Sequence, residues 1–168
     1  MRVSIPQILG QAVLYAGFMA MLGYFATLPA YTYVDPGAAV ITLSFAHAGE
    51  KVSECRRLTP EEIAALAPNM RRPMDCPRGR VSLLVELRLD GAVLYHASLS
   101  PSGLAGDGAS SVYERFVVAP GGHRISARLR DSRREEGFDY ELEEDVELIP
   151  GEHLVVDFRA GTGGFKFL

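Results

Sequence analysis

The chain has 168 residues, with 17 Lys and Arg against 21 Asp and Glu and a formal net charge of −4. This length allows one domain plus an accessory element, and the charge provides no overall basic field of the kind that attracts nucleic acid. We therefore expect no nucleic-acid partner. The charge is unevenly distributed, because no Lys, Arg, Asp or Glu lies between positions 3 and 34, whereas the part from Asp35 onward carries −5 from 16 basic and 21 acidic residues.

An apolar run dominates the first thirty residues. Its 21 residues from Ile8 to Leu28 contain one strongly polar side chain, Gln11. A helix needs about 20 such residues to cross a hydrocarbon layer about 30 Å thick. The sequence therefore predicts a transmembrane helix at residues 8–30, preceded by a short segment 1–7 and followed by a linker 31–38.

A signal peptide is the alternative interpretation of this run. The run is longer than the apolar region of most signal peptides, and Leu28 interrupts the small-x-small pattern before a cleavage site after Ala30. We therefore expect the helix to be retained. Arg2 on one side and Asp35 on the other favour a cytoplasmic N-terminus. This orientation predicts a single-pass protein of a bacterial inner membrane with its C-terminal domain in the periplasm.

Small residues recur along the predicted helix at positions that share one face: Ala12, Ala16, Ala20 and Gly23. Such a stripe lets a second helix approach closely in lipid, where no hydrophobic force between helices exists. The alternative is that Ala and Gly are simply common in membrane helices. We predict that this stripe packs against other membrane protein subunits.

From about Val40 the pattern changes to short alternating runs between turn residues, which is typical of an antiparallel β-sandwich. In "RVSLLVELRLDG" every second residue from Val81 to Leu89 is apolar, and Asp90-Gly91 predicts a hairpin turn. The runs "HRISARLRD", "FDYELEEDVEL" and "HLVVDFR" alternate in the same way. Glu144 falls on the apolar phase of its run, which predicts a bulge or an exposed end there. The predicted domain spans residues 39–168.

Residues 81–159 carry the turn motifs of a known module. "LRLDGAVLY", "FVVAPGGHRISARLRD" and "VELIPGEHLVVDFR" place Asp-Gly and Pro-Gly turns between strands, with a His after each Pro-Gly pair. In this the segment resembles the PEGA type of immunoglobulin-like β-sandwich module. The resemblance implies a module that binds or scaffolds rather than one that catalyses. The chain departs from the pattern at "SRREEG" and "SPSGLAGDGASS".

A short helical insertion precedes these strands. In "LTPEEIAALAPN", Thr59 can cap a helix whose third residue, Glu62, closes a capping box, which predicts a helix at residues 59–67. Cys55 and Cys76 flank it. In an exported domain two cysteines most simply form one disulfide, which by chain entropy stabilises by about 3 kcal/mol for a loop of about 20 residues. Free thiols are the alternative.

A copper site is a second interpretation of the same region. Thioether and thiolate groups suit Cu(I), and three such side chains lie close in sequence, with one histidine as a further ligand if the fold brings it near. The residues of this alternative set are Met70, Met74, Cys76 and His47. The interpretation favoured here has no metal and no cofactor.

Six arginines also gather near the two cysteines: Arg56, Arg57, Arg71, Arg72, Arg78 and Arg80. Guanidinium groups bind carboxylates and phosphates through paired donors. The cluster predicts a partner-binding basic patch for an extracytoplasmic protein or for lipid headgroups. A solvated loop is the alternative.

No nucleophile elbow, phosphate-binding loop or metal-ligand spacing occurs in the sequence, so we expect no enzyme. The sequence favours a non-catalytic, single-pass accessory subunit of a larger membrane complex. In layout it is similar to the small subunits of respiratory or photosynthetic electron-transfer complexes. The alternative is a membrane-tethered periplasmic protein that binds copper or assists assembly.

Overall fold

A computed structural model describes residues 4–28 and 32–168 of the chain. The chain divides into two compact units, Met1–Asp35 and Pro36–Leu168. The predicted class is confirmed, because the chain is mainly β with one long apolar N-terminal helix. The predicted end of the helix at residue 30 and the predicted start of the linker at residue 31 lie outside the described residues.

The first unit contains one helix, α1, which runs from Ile5 to Thr27. It begins earlier than predicted because Ser4 caps it, and the Gln7 side chain accepts a hydrogen bond from the Ser4 N–H at 3.0 Å. At its other end the Leu28 N–H donates to the Tyr24 carbonyl at 2.8 Å. No residue of α1 is buried, and the helix is long and apolar enough to cross a membrane.

The second unit is built from ten strands and one short α-helix, α2, at Pro60–Ala65. The strands are β1 Ala39–His47, β2 Arg56–Arg57, β3 Met74–Asp75, β4 Leu83–Leu89, β5 Ala92–Leu99, β6 Ser110–Val118, β7 Gly121–Arg130, β8 Tyr140–Leu148, β9 His153–Arg159 and β10 Gly164–Phe167. The first sheet has the order β10-β9-β1-β6 and the second the order β5-β4-β7-β8. Strands β2 and β3 form a separate two-stranded ladder.

The predicted antiparallel arrangement needs one correction. Strands β1 and β9 pair in parallel, with Val40 opposite His153 and Leu43 opposite Val156. A parallel pair requires a long crossover between its strands. The chain meets this requirement because more than one hundred residues of the domain separate β1 from β9.

The core lies between the two sheets and confirms the alternation seen in the sequence. In β4 the side chains of Leu83, Val85 and Leu87 are fully buried in the core. Leu84 and Glu86, which lie between them, are on the outer face of the sheet. Strand β1 departs from this pattern, because its consecutive residues Ala39–Leu43 are all buried. The buried cluster includes Ile41, Leu43, Phe45, Ile125, Ala127, Leu129, Leu154, Val156, Phe158 and Phe165.

The hairpin turn between β4 and β5 forms as predicted. Asp90 has a φ of 52° and Gly91 a φ of 82°. Two consecutive positive φ values define a type I′ turn, whose twist matches that of the flanking strands. The pairing register then shifts between Leu87 and Arg88, so a bulge interrupts the β4–β5 ladder.

Strand β8 is an acidic edge of the second sheet. Its pairing with β7 runs without a break, so the bulge predicted at Glu144 does not form. Glu144 lies opposite the buried Ile125 but is itself exposed. The other predicted outcome, exposure of Glu144, is the one that occurs, and β8 is the edge strand of its sheet. Residues 138–152 contain seven acidic residues and no Lys or Arg.

The sandwich has two distinct ends. At the end called proximal here, the chain enters at Ala39 beside Val118, and the Gly151 N–H donates to the Ala38 carbonyl at 2.8 Å. At the opposite, distal end, His47 lies beside Ser110. The segments 48–82 and 131–139 leave the sheets at this distal end, where the Glu50 N–H donates to the Asp131 carbonyl at 2.7 Å.

Replacing Leu87 by Ala should destabilise the domain by about 2–5 kcal/mol, because a fully buried leucine leaves a cavity that the closely packed sheets cannot fill. The measurement is urea unfolding followed by tyrosine fluorescence and circular dichroism. Val93→Ala, at a position 52% exposed, is the control and should change stability by less than about 0.5 kcal/mol. Equal effects of the two changes would contradict the core assignment.

Candidate docking surface

Residues 51–80 form a hairpin at the distal end of the sandwich, which we call the arm. Its stem is held by a bridge between Lys51 and Arg80 and by a hydrogen bond from the Val52 N–H to the Gly79 carbonyl at 3.1 Å. The β2–β3 ladder continues this stem. The two chain segments of the arm therefore pair at the stem and again at residues 56–58 with 73–75.

The predicted disulfide is confirmed, since the Sγ atoms of Cys55 and Cys76 are bonded and no free cysteine occurs in the described range. The bridge closes the arm next to the β2–β3 ladder. The helix predicted at 59–67 is present but shorter. Thr59 accepts a hydrogen bond from the Glu62 N–H at 3.3 Å, as the capping box requires, and Leu66 ends α2 in an extended conformation.

The base of the arm is fixed to the sandwich by Arg80. Its Nε donates to the Asp107 carbonyl at 3.0 Å and its Nη1 to the Gly49 carbonyl at 2.8 Å. Gly49 is required there, because a Cβ at this position would lie 2.5 Å from the Val81 carbonyl oxygen. Arg80 therefore has a structural role and does not belong to the predicted basic patch.

The remaining five arginines of the predicted patch fall into two groups. Three contact carboxylates of the domain: Arg56 with Glu62, Arg72 with Asp75 and Arg78 with Asp107. Within the described residues, Arg57 and Arg71 have no carboxylate partner. Arg71 donates through Nε to the Leu66 carbonyl at 3.4 Å, and both side chains are exposed. The structure thus reduces the patch to two uncompensated charges and the exposed Arg78.

The two faces of the β2–β3 ladder differ in charge. Arg56 lies opposite Asp75 on one face and Arg57 lies opposite Met74 on the other. On the first face, the Glu62 carboxylate raises the pKa of Arg56, and the Thr59 backbone N–H followed by Arg56 lowers the pKa of Glu62. The first face is therefore neutralised within the arm. The second face has a cation beside a thioether.

The alternative copper set does not assemble as predicted. Cys76 offers no thiolate, because its Sγ is bonded to Cys55. His47 is instead hydrogen-bonded through Nε2 to the Asp131 carboxylate at 2.7 Å, with its ring against Phe158. In residues 4–28 and 32–168 no group of three His, Cys, Asp or Glu side chains could hold a metal ion. Met70 and Met74 remain as exposed apolar side chains.

The small-residue stripe on α1 stays a prediction. All four of its residues, Ala12, Ala16, Ala20 and Gly23, are exposed, and a Cβ added at Gly23 would meet no atom within 4 Å. The stripe is thus an open surface of the helix.

The outer face of the second sheet carries a cluster that the sequence did not reveal. Glu86 lies between His96 on β5 and Arg128 on β7, and only 8% of its side chain is exposed. Two hydrogen bonds from Arg88, at 2.7 and 3.2 Å, satisfy the carboxylate and lower its pKa despite burial. The charge of Glu86 is thus compensated by side chains of the same sheet, and together these side chains form an ion-pair layer on its outer face. Glu86, His96 and Arg128 lie on three different strands, so no short sequence motif could have indicated that they are neighbours.

A second unpredicted contact lies at the proximal end. His123 follows the Pro120-Gly121 turn, and its Nδ1 lies 2.7 Å from the Asp90 carboxylate while its Nε2 lies 2.9 Å from the Ala119 carbonyl. Asp90 also accepts a hydrogen bond from the Arg124 N–H at 2.8 Å. The imidazole therefore joins two turns that are distant in sequence.

These contacts shift both titrating groups. The Asp90 carboxylate, and after it the Ala119 carbonyl, raise the pKa of His123. The backbone N–H of Arg124, and after it His123, lower the pKa of Asp90. An open pocket beside the pair is lined by Gly122, Asp145 and Glu147.

No family model, curated protein or solved structure matches the chain. The resemblance to the PEGA module therefore stays a prediction, and the functional argument rests on the geometry described above.

The contact between His123 and Asp90 should make stability depend on pH. A histidine with a raised folded pKa stabilises fully below its unfolded pKa of about 6.5, and that contribution is lost as pH rises through the folded pKa. Asp90, with a lowered pKa, loses its contribution as pH falls through its own folded value. The difference in urea midpoint between the native chain and His123→Gln should thus be largest between about pH 4 and 6.5. A difference that grows toward pH 9 would contradict this assignment.

Removing the disulfide should loosen the arm and spare the sandwich. Cys55→Ser with Cys76→Ser should raise the rate of trypsin cleavage after Arg57 and Arg71 at least tenfold, since loop closure is worth about 3 kcal/mol. Mass spectrometry of the fragments measures this rate. Cleavage after Arg128, within a central strand, is the internal control and should stay slow. Unchanged cleavage in the arm would show that backbone pairing alone holds it.

Proposed function

We propose that the chain is a non-catalytic, single-pass accessory subunit of a larger membrane protein complex, with its sandwich domain outside the cytoplasm and docked on partner subunits. The observation that carries this proposal is α1, a helix of 23 residues without a charged side chain and without one buried residue. Such a surface is costly in water and stable in lipid. A complex of the respiratory or photosynthetic electron-transfer type is the proposed setting, by analogy of layout.

The stripe on α1 supports packing inside such a complex. Alanine and glycine side chains allow helix backbones to approach closely, and the contact is stabilised by van der Waals attraction along its length. The stripe leaves the opposite side of α1, with Phe18 and Phe25, for lipid or for other contacts.

The outer domain supports a docking role rather than a catalytic one. Its most buried carboxylate, Glu86, is held by Arg88, and an open pocket lies beside the ion pair of Asp90 with His123. These groups stabilise the domain. The exposed arm, in contrast, carries two guanidinium groups that the domain does not neutralise.

Larger side chains in the small-residue stripe of α1 test the proposal. Ala16→Leu combined with Ala20→Leu should leave the protein inserted, because leucine is favourable in lipid, but should reduce its recovery with the complex at least tenfold. The measurement is purification in mild detergent followed by quantitative mass spectrometry of the associated proteins.

The matched control is Phe18→Leu with Phe25→Leu, which places leucines on the other side of the same helix. Insertion is checked in each variant by carbonate extraction of membranes. Unchanged association of the Ala-to-Leu variant would show that α1 is an anchor only. A native chain that purifies without any stoichiometric partner would overturn the proposed function as a whole.

A further inference from the structure

We infer that the arm docks, through the exposed side chains of Arg57, Met70, Arg71 and Met74, into an acidic surface with an apolar depression on a partner protein. This inference rests on the proposed function and names the docking element and the chemistry of its partner.

The net charge of the arm region favours an acidic partner. Residues 50–80 contain seven basic and five acidic residues, for +2, whereas the rest of the second unit, Pro36–Leu168, carries −6 from nine basic and fifteen acidic residues.

The β2–β3 ladder of the arm presents its uncompensated charge on one face. Successive residues of a strand face opposite sides of a ladder, so Arg56 and Asp75 share one face and Arg57 and Met74 share the other. On the first face both charges are already paired, Arg56 with Glu62 and Asp75 with Arg72. Only the second face can offer charge-assisted hydrogen bonds to another molecule without breaking an existing pair.

The neighbouring apolar groups indicate a protein surface. Met70 is 60% exposed and Met74 is 40% exposed. Flexible thioethers adapt to irregular apolar surfaces, and Met and Arg are enriched at protein interfaces. An anionic membrane would be recognised by a cluster of about four to eight free cations, and the arm has three besides Arg78, namely Lys51 at the stem, Arg57 and Arg71. A protein partner therefore fits the arm better than a lipid surface.

The fold holds this face ready for binding. The disulfide, the paired stem and the Arg80 anchor fix the arm before it meets a partner, so little conformational entropy is lost on docking. The arm extends from the distal end of the sandwich, opposite Ala39, where the chain enters the domain.

The test uses the full chain in membranes of the source organism, with the photo-crosslinker p-benzoylphenylalanine in place of Met70. The matched control position is Val117 on β6, which is 62% exposed against 60% for Met70. We expect an adduct from position 70 whose partner peptide is rich in Asp and Glu, and none from position 117. Its yield should fall several-fold between 0.1 and 0.5 M salt, because exposed charges are screened.

Charge reversal separates recognition from chance proximity. Arg57→Glu with Arg71→Glu should reduce the position-70 adduct at least tenfold, whereas Arg115→Glu with Arg159→Glu, which changes net charge equally, should not. Changing the two acidic partner residues nearest the crosslink to lysine should restore the adduct in the Arg57→Glu, Arg71→Glu chain.

Three outcomes would overturn the inference: an adduct with lipid, an adduct with a second copy of this chain, or a yield unaffected by the arginine changes. The two proposals can fail separately. If the Ala16→Leu, Ala20→Leu chain loses the complex, but position 70 gives no adduct in the chain with native α1, the arm assignment is overturned and the proposed function stands.

Discussion

Burial of every second side chain between two sheets is the constraint on which the domain depends. It removes Leu83, Val85 and Leu87 from water and forces the residues between them to the outside, where a charge is tolerated only if it is exposed or paired. Glu86 is the clearest consequence, since its neighbours shield it from water and Arg88 replaces the lost hydration. The ion-pair layer on the second sheet exists because the residues that alternate with the core residues face outward. Its charged groups pair with one another within the domain.

The arm is stabilised differently because it has no core of its own. Its helix α2 contains no buried residue, so hydrophobic burial contributes little to holding it. The disulfide, the backbone pairing of the stem and the Arg80 anchor supply the missing constraint. This division explains why the arm can keep exposed methionines and unpaired guanidinium groups, while on the outer face of the second sheet the buried Glu86 is paired with Arg88.

Local features were predictable from the sequence, and features that join distant segments were not. The Asp90-Gly91 turn, the Thr59 cap and the strand phases each depend on a few neighbouring residues, and all formed. The parallel pairing of β1 with β9 and the contact between His123 and Asp90 depend on strand order, which alternation does not encode. The arginine patch was predicted as six equivalent residues because sequence proximity cannot show which guanidinium groups find carboxylates.

The acidic edge strand β8 has a consequence for crowding. Proteins held in a membrane by a single helix diffuse in two dimensions, so their outer domains meet far more often than the same molecules would in solution. An open strand of neutral residues would then invite sheet-to-sheet growth between neighbours. Two β8 edges brought together would instead place Glu143, Glu144 and Asp145 against their own copies, which favours separation. If α1 holds the chain in a membrane, the acidic β8 edge would therefore keep neighbouring copies of the domain apart even at high surface density.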